Sequence, residues 1–447
     1  MGYDRFCNSF RRTGDYSPGY CGTLPLFTEP ITGVYFMKIK KLCAGLFALG
    51  MAFSLMLQTP VSAAEAAPGI TTNAVPGWPQ GADITSTAAV VMEESTNTIV
   101  YAKNMDQQLF PGSTVKIMTT LLALENSQLT DQVTMTATGV SGVTDGGANI
   151  SANLDEVFTM EQCLYAIMLV SANDIALQVA EHLGGSVEGF VQMMNQRAAE
   201  LGCTNTVFTN PTGLSDENQH TTAHDMALIM QAAMENETFR TIAGALSYTI
   251  SPTNISGGER VLTNNFSMMS AANAAYYQNC LGGREGYTDA SGSTLVCGAE
   301  KNGVTLIAVV LQGASGTTAA EAGSLLNYGF DNFQMLSLGD TDFNMLSGGN
   351  VYVPVGTATD SLTTKDGTPE NGQYTRQYYF GNAPVGTSVM AAVQEQDTAL
   401  TDTGEKNMDA ARSYSEKHTA VPYYVIAGVG ILLLGFLIYR IVKTAKS

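Results

Sequence analysis

Phe110-Pro111-Gly112-Ser113-Thr114-Val115-Lys116-Ile117-Met118-Thr119-Thr120 is the stretch on which the reading of this chain turns. A proline and a glycine break the chain, and a nearly unbroken apolar run follows to Leu124. This is the pattern of a turn feeding a buried helix that begins at about Ser113. Residues three apart share a helix face, so Lys116 stands one turn from Ser113 with its amine in reach of the hydroxyl. An ammonium among apolar side chains tends to lose its proton, and the neutral amine is a base. A serine hydroxyl becomes a nucleophile when a base takes its proton, and a helix N-terminus supplies N–H groups for an oxyanion. Ser113 and Lys116 therefore read as nucleophile and base. A solvated surface pair is the competing reading. Against it, no other lysine of the chain has a serine three residues before it.

Outward from that helix the chain is poor in charge. Its 447 residues carry a formal net charge of −19 with only 14% charged residues, and no Lys or Arg occurs between Ile117 and Gln196. That length accommodates a sizeable core and a second, smaller domain. The acidic balance leaves little to neutralise phosphates and argues against nucleic acid as a partner.

Toward the N-terminus, Met37-Lys38-Ile39-Lys40-Lys41 precedes an apolar run from Leu42 to Leu57, and Val61-Ser62-Ala63 follows with small residues. A basic region, an apolar region and a small-residue end predict a secretory signal over 37–63. Residues 1–36 read as an upstream extension. Arg11-Arg12 leaves a twin-arginine signal as the alternative, set far from the apolar run. Toward the C-terminus, 421–442 is apolar, with Tyr423, Tyr424 and Tyr439 near its borders and Arg440, Lys443 and Lys446 at its end. This predicts a transmembrane helix over 421–442 and a cytoplasmic tail over 443–447. The chain is thus expected to be exported and tethered by its C-terminus. Cys163, Cys203, Cys280 and Cys297 would remain after signal removal. Cys163 reads as a core thiol, and Cys280 and Cys297, flanking an expected hairpin, leave a disulfide open.

Between the ends, 64–82 reads as a spacer. The runs 88–92 and 98–102 around Ser95-Thr96-Asn97 predict a hairpin. The Gly/Ser/Thr-rich 138–151 has no periodicity and reads as a surface loop. Thr159-Met160-Glu161-Gln162 is a capping box opening a helix. Ser171-Ala172-Asn173 then places a hydroxyl and an amide on a tight turn between two buried helices. The same letters at Ser151-Ala152-Asn153 fall in the loop and read as a decoy. A further helix is expected over 188–201. His220 and His224 stand four apart, and a metal pair competes there with a loop-to-helix junction anchored by Asp225. The second reading is preferred because no third ligand lies nearby. Gly282–Tyr287, Ser293–Cys297 and Val304–Leu311 read as successive antiparallel strands, the last central and apolar. The fold class is α/β (mixed): one domain over 83–335 whose mainly antiparallel sheet joins the N- and C-terminal segments, flanked by helices. Leu325–Phe330 reads as the start of a closing helix, 336–395 as a small β-rich second domain, and 396–420 as a stalk.

Ser113/Lys116, Ser171/Asn173 and a glycine-flanked basic residue at 284, in that order, resemble the D-alanyl-D-alanine carboxypeptidases. These low-molecular-weight penicillin-binding proteins, serine peptidases of the S11 type, trim peptidoglycan stem peptides. The resemblance runs from about Ala88 to Phe333 and takes in Tyr101-Ala102-Lys103-Asn104, 201–206 with Gly213-Leu214, 222–227 and 326–330. It implies a β-lactamase/transpeptidase-like domain on the outer face of the bacterial cytoplasmic membrane, with β-lactams as covalent inhibitors and no cofactor or metal. It also implies roles. Ser113 would attack the carbonyl of the penultimate D-alanine, Lys116 would take the proton, and Ser171 would relay a proton to the leaving amine. Asn173 would hold the substrate amide, and the N–H groups of Ser113 and Tyr287 would form the oxyanion hole.

The third motif departs. Where the family reads Lys-Thr-Gly, this chain has Arg284-Glu285-Gly286, and it lacks any Lys or Arg from Asn302 to Thr364. Arg284, Glu285, Gly286 and Tyr287 are the expected substrate-binding residues of this strand. An ionised Glu285 would repel the terminal carboxylate of the substrate or of penicillin unless it pairs with Arg284 or is protonated. Two alternatives therefore stand beside the carboxypeptidase. One is an altered substrate without a free carboxylate, and the other a catalytically degenerate wall-binding protein. A β-lactamase is the enzymatic rival, but the Glu-x-x-Leu-Asn that would activate its deacylating water is missing between the second and third motifs.

Overall fold

The computed structural model describes residues 71–143, 147–339 and 344–392. The signal, extension, stalk, transmembrane and tail readings lie outside the described residues. Among the described residues no helix is long and apolar enough to cross a membrane.

A five-stranded antiparallel sheet carries the structure, in the order Ile99–Lys103, Ala88–Glu93, Val304–Gly313, Gly292–Lys301, Cys280–Thr288. The first two strands form the expected hairpin. The N-terminal Ala88–Glu93 pairs directly with the late strand Val304–Gly313, Val90 opposite Val309 and Met92 opposite Ile307. Sheet closure thus joins the two ends of the domain, as expected from the sequence.

Why these strands read as continuous apolar runs is visible in the packing. Val90 and Met92 face one core and Ala89 and Val91 the other; Ile307, Val309 and Leu311 alternate likewise with Leu306, Ala308 and Val310. A strand buried on both faces has no polar side to show. The first core lies between the sheet and the helices Lys116–Asn126, Met160–Val170, Asn173–Gly184 and Ala223–Met234. The second lies beneath the helix Thr318–Asn332. That helix starts seven residues before Leu325, because Thr318, Ala319 and Ala322 are already buried on the sheet and small residues carry little hydrophobic signal.

Past the helix Thr318–Asn332 the chain is β-rich. Phe333–Ser337 pairs with Asn350–Pro354, and Met345–Gly348, Ala383–Ala391, Gln373–Phe380 and Thr363–Asp366 form a four-stranded antiparallel sheet in that order. Trp78 packs between this region and the main sheet, its ring 5.0 Å from Phe333 and 5.9 Å from Phe380.

Candidate active site

Pro111 and Gly112 start a single 3-10 turn, Gly112–Val115, that runs straight into the helix Lys116–Asn126. The turn holds Ser113 at the helix mouth while Lys116 begins the helix proper. Lys116 Nζ donates to Ser113 Oγ at 3.4 Å, and Ser171 Oγ donates to the same oxygen at 3.2 Å. Three side chains separated by up to 58 positions thus meet at one hydroxyl. The surroundings are dry: Lys116 is 0%, Arg284 3%, Asn173 4% and Ser171 6% exposed. Burial holds the Lys116 amine well below its ordinary value, and the positive charge of Arg284 pushes it further the same way.

A segment that the sequence reading noted only as part of the resemblance completes this cradle. Lys116 Nζ also donates to the carbonyl of Thr212, and Thr119 Oγ1 donates to that of Pro211 at 2.7 Å. The turn is built by Asn210, whose side-chain oxygen accepts from the N–H groups of Thr212 and Gly213. Gly213 has φ +81°, and a Cβ there would fall 1.8 Å from the Gly112 carbonyl oxygen, so only glycine lets this turn press on the serine helix. The Asn-Pro-Thr-Gly punctuation was the available signal.

Ser171 ends the helix Met160–Val170, which opens on the expected capping box, with Thr159 accepting from Gln162 N and Gln162 from Thr159 N. Ser171 itself sits in the left-handed region at φ 61°, a conformation that costs a non-glycine residue of order 1 kcal/mol and concentrates at functional sites. The next helix starts at Asn173. The Asn173 side-chain oxygen is buried and has no hydrogen-bond partner, which marks it as an acceptor awaiting a donor.

The stretch 138–151 is not the plain surface loop expected. Ala137–Ser141 is a short helix, and 147–152 folds back over the second motif. Ala148 O accepts from Asn173 N at 2.7 Å, and the Asp174 carboxylate accepts from Ile150 N and Ala152 N. Backbone groups make these contacts, so side-chain periodicity could not reveal them. The copy at Ser151 and Asn153 lies outside the Ser113 cluster. Asn153 bonds Glu156 instead.

The third motif lies on the edge strand Cys280–Thr288. Gly286 abuts Ser113, and its neighbour Tyr287 is 60% exposed. Arg284 does not present its charge as an open substrate contact. Its guanidinium donates to Met168 O at 2.6 Å and Asn265 Oδ1 at 2.8 Å, and burial lowers its pKa to about 10. Glu285 does not pair with that guanidinium through its carboxylate. Its two oxygens accept from Ser267 N at 3.0 Å and Ser267 Oγ at 2.6 Å, while Arg284 Nε donates to the Glu285 backbone carbonyl. Asn265 and Ser267, absent from the sequence-based site, are therefore what orient the third motif.

His220 and His224 turn apart, Nδ1 of the first toward Asn218 O and Nδ1 of the second toward Asp106. Asp225 is the anchor: its carboxylate accepts from Thr204 N, Asn205 N and Thr206 Oγ1. Cys280 and Cys297 are free thiols on adjacent strands.

A family model for D-alanyl-D-alanine carboxypeptidase, peptidase S11, matches residues 72–315. The chain is 31% identical over 254 residues to the D-alanyl-D-alanine carboxypeptidase DacF of Bacillus subtilis. That match covers 55% of this chain and 62% of the relative, less than two thirds of its length. Against DacB2 of Mycobacterium tuberculosis, also a D-alanyl-D-alanine carboxypeptidase, identity is 30% over 250 residues, covering 54% of this chain and 81% of that protein. The crystal structure of penicillin binding protein 6B from Escherichia coli aligns with a TM-score of 0.58 over 71% of this chain and 98% of that one. Identity there is 22%, so the likeness is one of fold. With more than half its length matched by the family model, the chain belongs to the D-alanyl-D-alanine carboxypeptidase family of serine peptidases.

Proposed function

We propose that this protein is a serine-type D-Ala-D-Ala carboxypeptidase that trims peptidoglycan stem peptides through an acyl-enzyme on Ser113. The observation that carries this reading is the convergence of Lys116 Nζ and Ser171 Oγ on Ser113 Oγ, with the lysine fully buried. Lys116, held neutral, takes the hydroxyl proton as Ser113 Oγ attacks the carbonyl of the penultimate D-alanine. The oxyanion forms against the N–H groups of Ser113 and Tyr287, already fixed by strand and helix. Ser171 passes a proton to the departing amine of the terminal D-alanine, and the C–N bond breaks. Water then hydrolyses the ester and restores Ser113. Asn173, with its unpartnered oxygen, accepts from a substrate N–H.

The reading extends to the whole chain. A signal over 37–63, a catalytic domain over 83–335, a β-rich domain over 336–395, a stalk, and an anchor over 421–442 would hold the site outside the cytoplasmic membrane, near the wall. β-Lactams would acylate the same serine.

Fluorescent penicillin at saturating concentration, applied to the full chain, tests the reading. Wild type is expected to be labelled and Ser113→Ala unlabelled. Labelling that survives Ser113→Ala, or none in wild type, defeats it.

A further inference from the structure

Asp174 follows Asn173 at the start of the helix Asn173–Gly184 and is only 3% exposed. Its carboxylate accepts from Ile175 N at 2.9 Å, as an acid in a first helical turn commonly does. That local bond does not exhaust the group. The same carboxylate accepts from Ile150 N at 3.1 Å and Ala152 N at 3.3 Å, 24 and 22 positions earlier in the chain. Every hydrogen bond that it takes from the described residues comes from a backbone N–H. With no Lys or Arg between Ile117 and Gln196, the segments that meet here offer it no cation. A buried carboxylate without a cation needs several donors aimed at it, and the loop supplies two of the three.

The loop so held lies on Asn173. Ala148 O accepts from Asn173 N at 2.7 Å. A Cβ at Gly147 would fall 2.4 Å from Asn173 Nδ2 and 3.8 Å from Leu214 Cδ2. The first distance leaves no space between the backbone at 147 and the side-chain amide. The second sets the loop beside the turn whose Thr212 carbonyl accepts from Lys116. Asn173 Oδ1 is meanwhile buried and without a partner. An amide has a donor end and an acceptor end, and a freely turning one would offer a substrate N–H the wrong end half the time. Main chain packed against the nitrogen end leaves the oxygen to face the substrate.

We propose that Asp174 is a positioning residue of this active site: it anchors 150–152 through their N–H groups, and the anchored loop backs the Asn173 amide so that its oxygen meets the substrate N–H. This rests on the hydrolase reading above and adds to it a residue with no hydrogen bond to Ser113, Lys116 or Ser171. A carboxylate suits the task because it accepts on both oxygens and donates nothing. An amide at 174 would turn an NH2 toward one of the N–H groups and release that part of the loop. The bond from Asn173 to substrate forms on binding and persists through acyl transfer. Weakening it therefore raises KM and leaves kcat nearly unchanged.

The test uses the full chain and diacetyl-L-lysyl-D-Ala-D-Ala, with released D-alanine quantified by mass spectrometry. Asp174→Asn is expected to raise KM by about tenfold, the scale of one lost hydrogen bond, and to keep kcat within about threefold of wild type. In an Asn173→Ala background the same substitution is expected to change KM by less than about twofold, because the group through which it acts is gone. A merely structural loss would persist in that background and lower kcat with it. Gly147→Ala leaves the Asp174 contacts in place, is expected to raise KM likewise, and decides the matter should Asp174→Asn not fold. With wild type active, the proposal alone is overturned if KM ignores residue 174, if the effect is undiminished without Asn173, or if Gly147→Ala leaves KM unchanged. No release of D-alanine by wild type defeats the hydrolase reading and the proposal together.

Discussion

Gly286 stands against Ser113 with no room for a side chain: a Cβ at 286 would fall 2.6 Å from the Ser113 amide nitrogen and 2.7 Å from its Cβ. The strand that borders the cleft and the helix that carries the nucleophile are thereby set at a fixed separation. Gly286→Ala must push them apart or displace the serine. Misplacement on the 1 Å scale costs about 100-fold in rate, so penicillin acylation of this variant is expected to slow by about that factor. Its circular dichroism should remain that of wild type, because an edge strand yields outward. A loss below tenfold would contradict the contact.

Lys116 sets the acid side of activity. Only its neutral form takes a proton, and burial with Arg284 lowers the pKa well below 10.5. Acylation should rise with pH through that lowered value. Lys116→Met is expected to reduce it by about 1,000-fold. Stability should move the same way. Between that lowered value and the ordinary lysine pKa the unfolded chain binds a proton that the folded one does not, so wild-type stability climbs with pH across that window. Lys116→Met therefore unfolds at higher urea than wild type at pH 7, and the gap narrows by pH 10.5. Urea midpoints at the two pH values check the sign.

Arg284 acts on Lys116 through its charge. Removing that charge lets the Lys116 pKa rise, so the acid limb of the acylation profile in Arg284→Gln should move to higher pH, with a rate at pH 6 about tenfold below wild type. Arg284→Lys keeps the charge and should move the limb less. Stopped-flow acylation from pH 5 to 9 distinguishes this from a merely structural loss, which would lower the plateau and leave the limb in place.

Glu156 and Arg260 form a bidentate ion pair at 2.8 and 3.0 Å under the second motif's loop, with the Glu156 side chain fully buried. Burial pushes the Glu156 carboxyl up, but Arg260, Thr253 and Asn153 outweigh it and hold the pKa at about 2. A depressed carboxyl contributes stability that is complete above the unfolded value near 4.5 and is lost as pH falls toward 2. Arg260→Met should cost about 3 kcal/mol at pH 7, leaving a buried carboxylate unpaired, and should flatten that acid loss. Denaturant unfolding at pH 7 and pH 3 measures both.

Local chemistry was legible wherever one segment carried it. Pro111-Gly112 before an apolar run announced the serine helix, Thr159 and Gln162 announced a cap, and Val304–Leu311 announced a strand covered on both faces. Asp225 read as an anchor because His220 and His224 had no third ligand nearby to make a metal site. Thr212, Asn265 and Ser267 did not register as site residues. Thr212 and Met168 act through backbone carbonyls, which every residue type has, across separations of 96 and 116 positions. The loop over Asn173 was misjudged for the same reason. Its hold on the site is Ala148 O and the N–H groups of Ile150 and Ala152.

The order of residues alone determined that a serine would sit one turn from a lysine at the mouth of a buried helix, because helical spacing is a local property of the chain. Only tertiary structure decided that Ser171 reaches the same hydroxyl, that Arg284 turns inward to Met168 and Asn265, and that Ser267 pins Glu285. Those outcomes depend on which acceptor stands opposite each side chain after the sheet closes, and strand pairing between distant segments sets that.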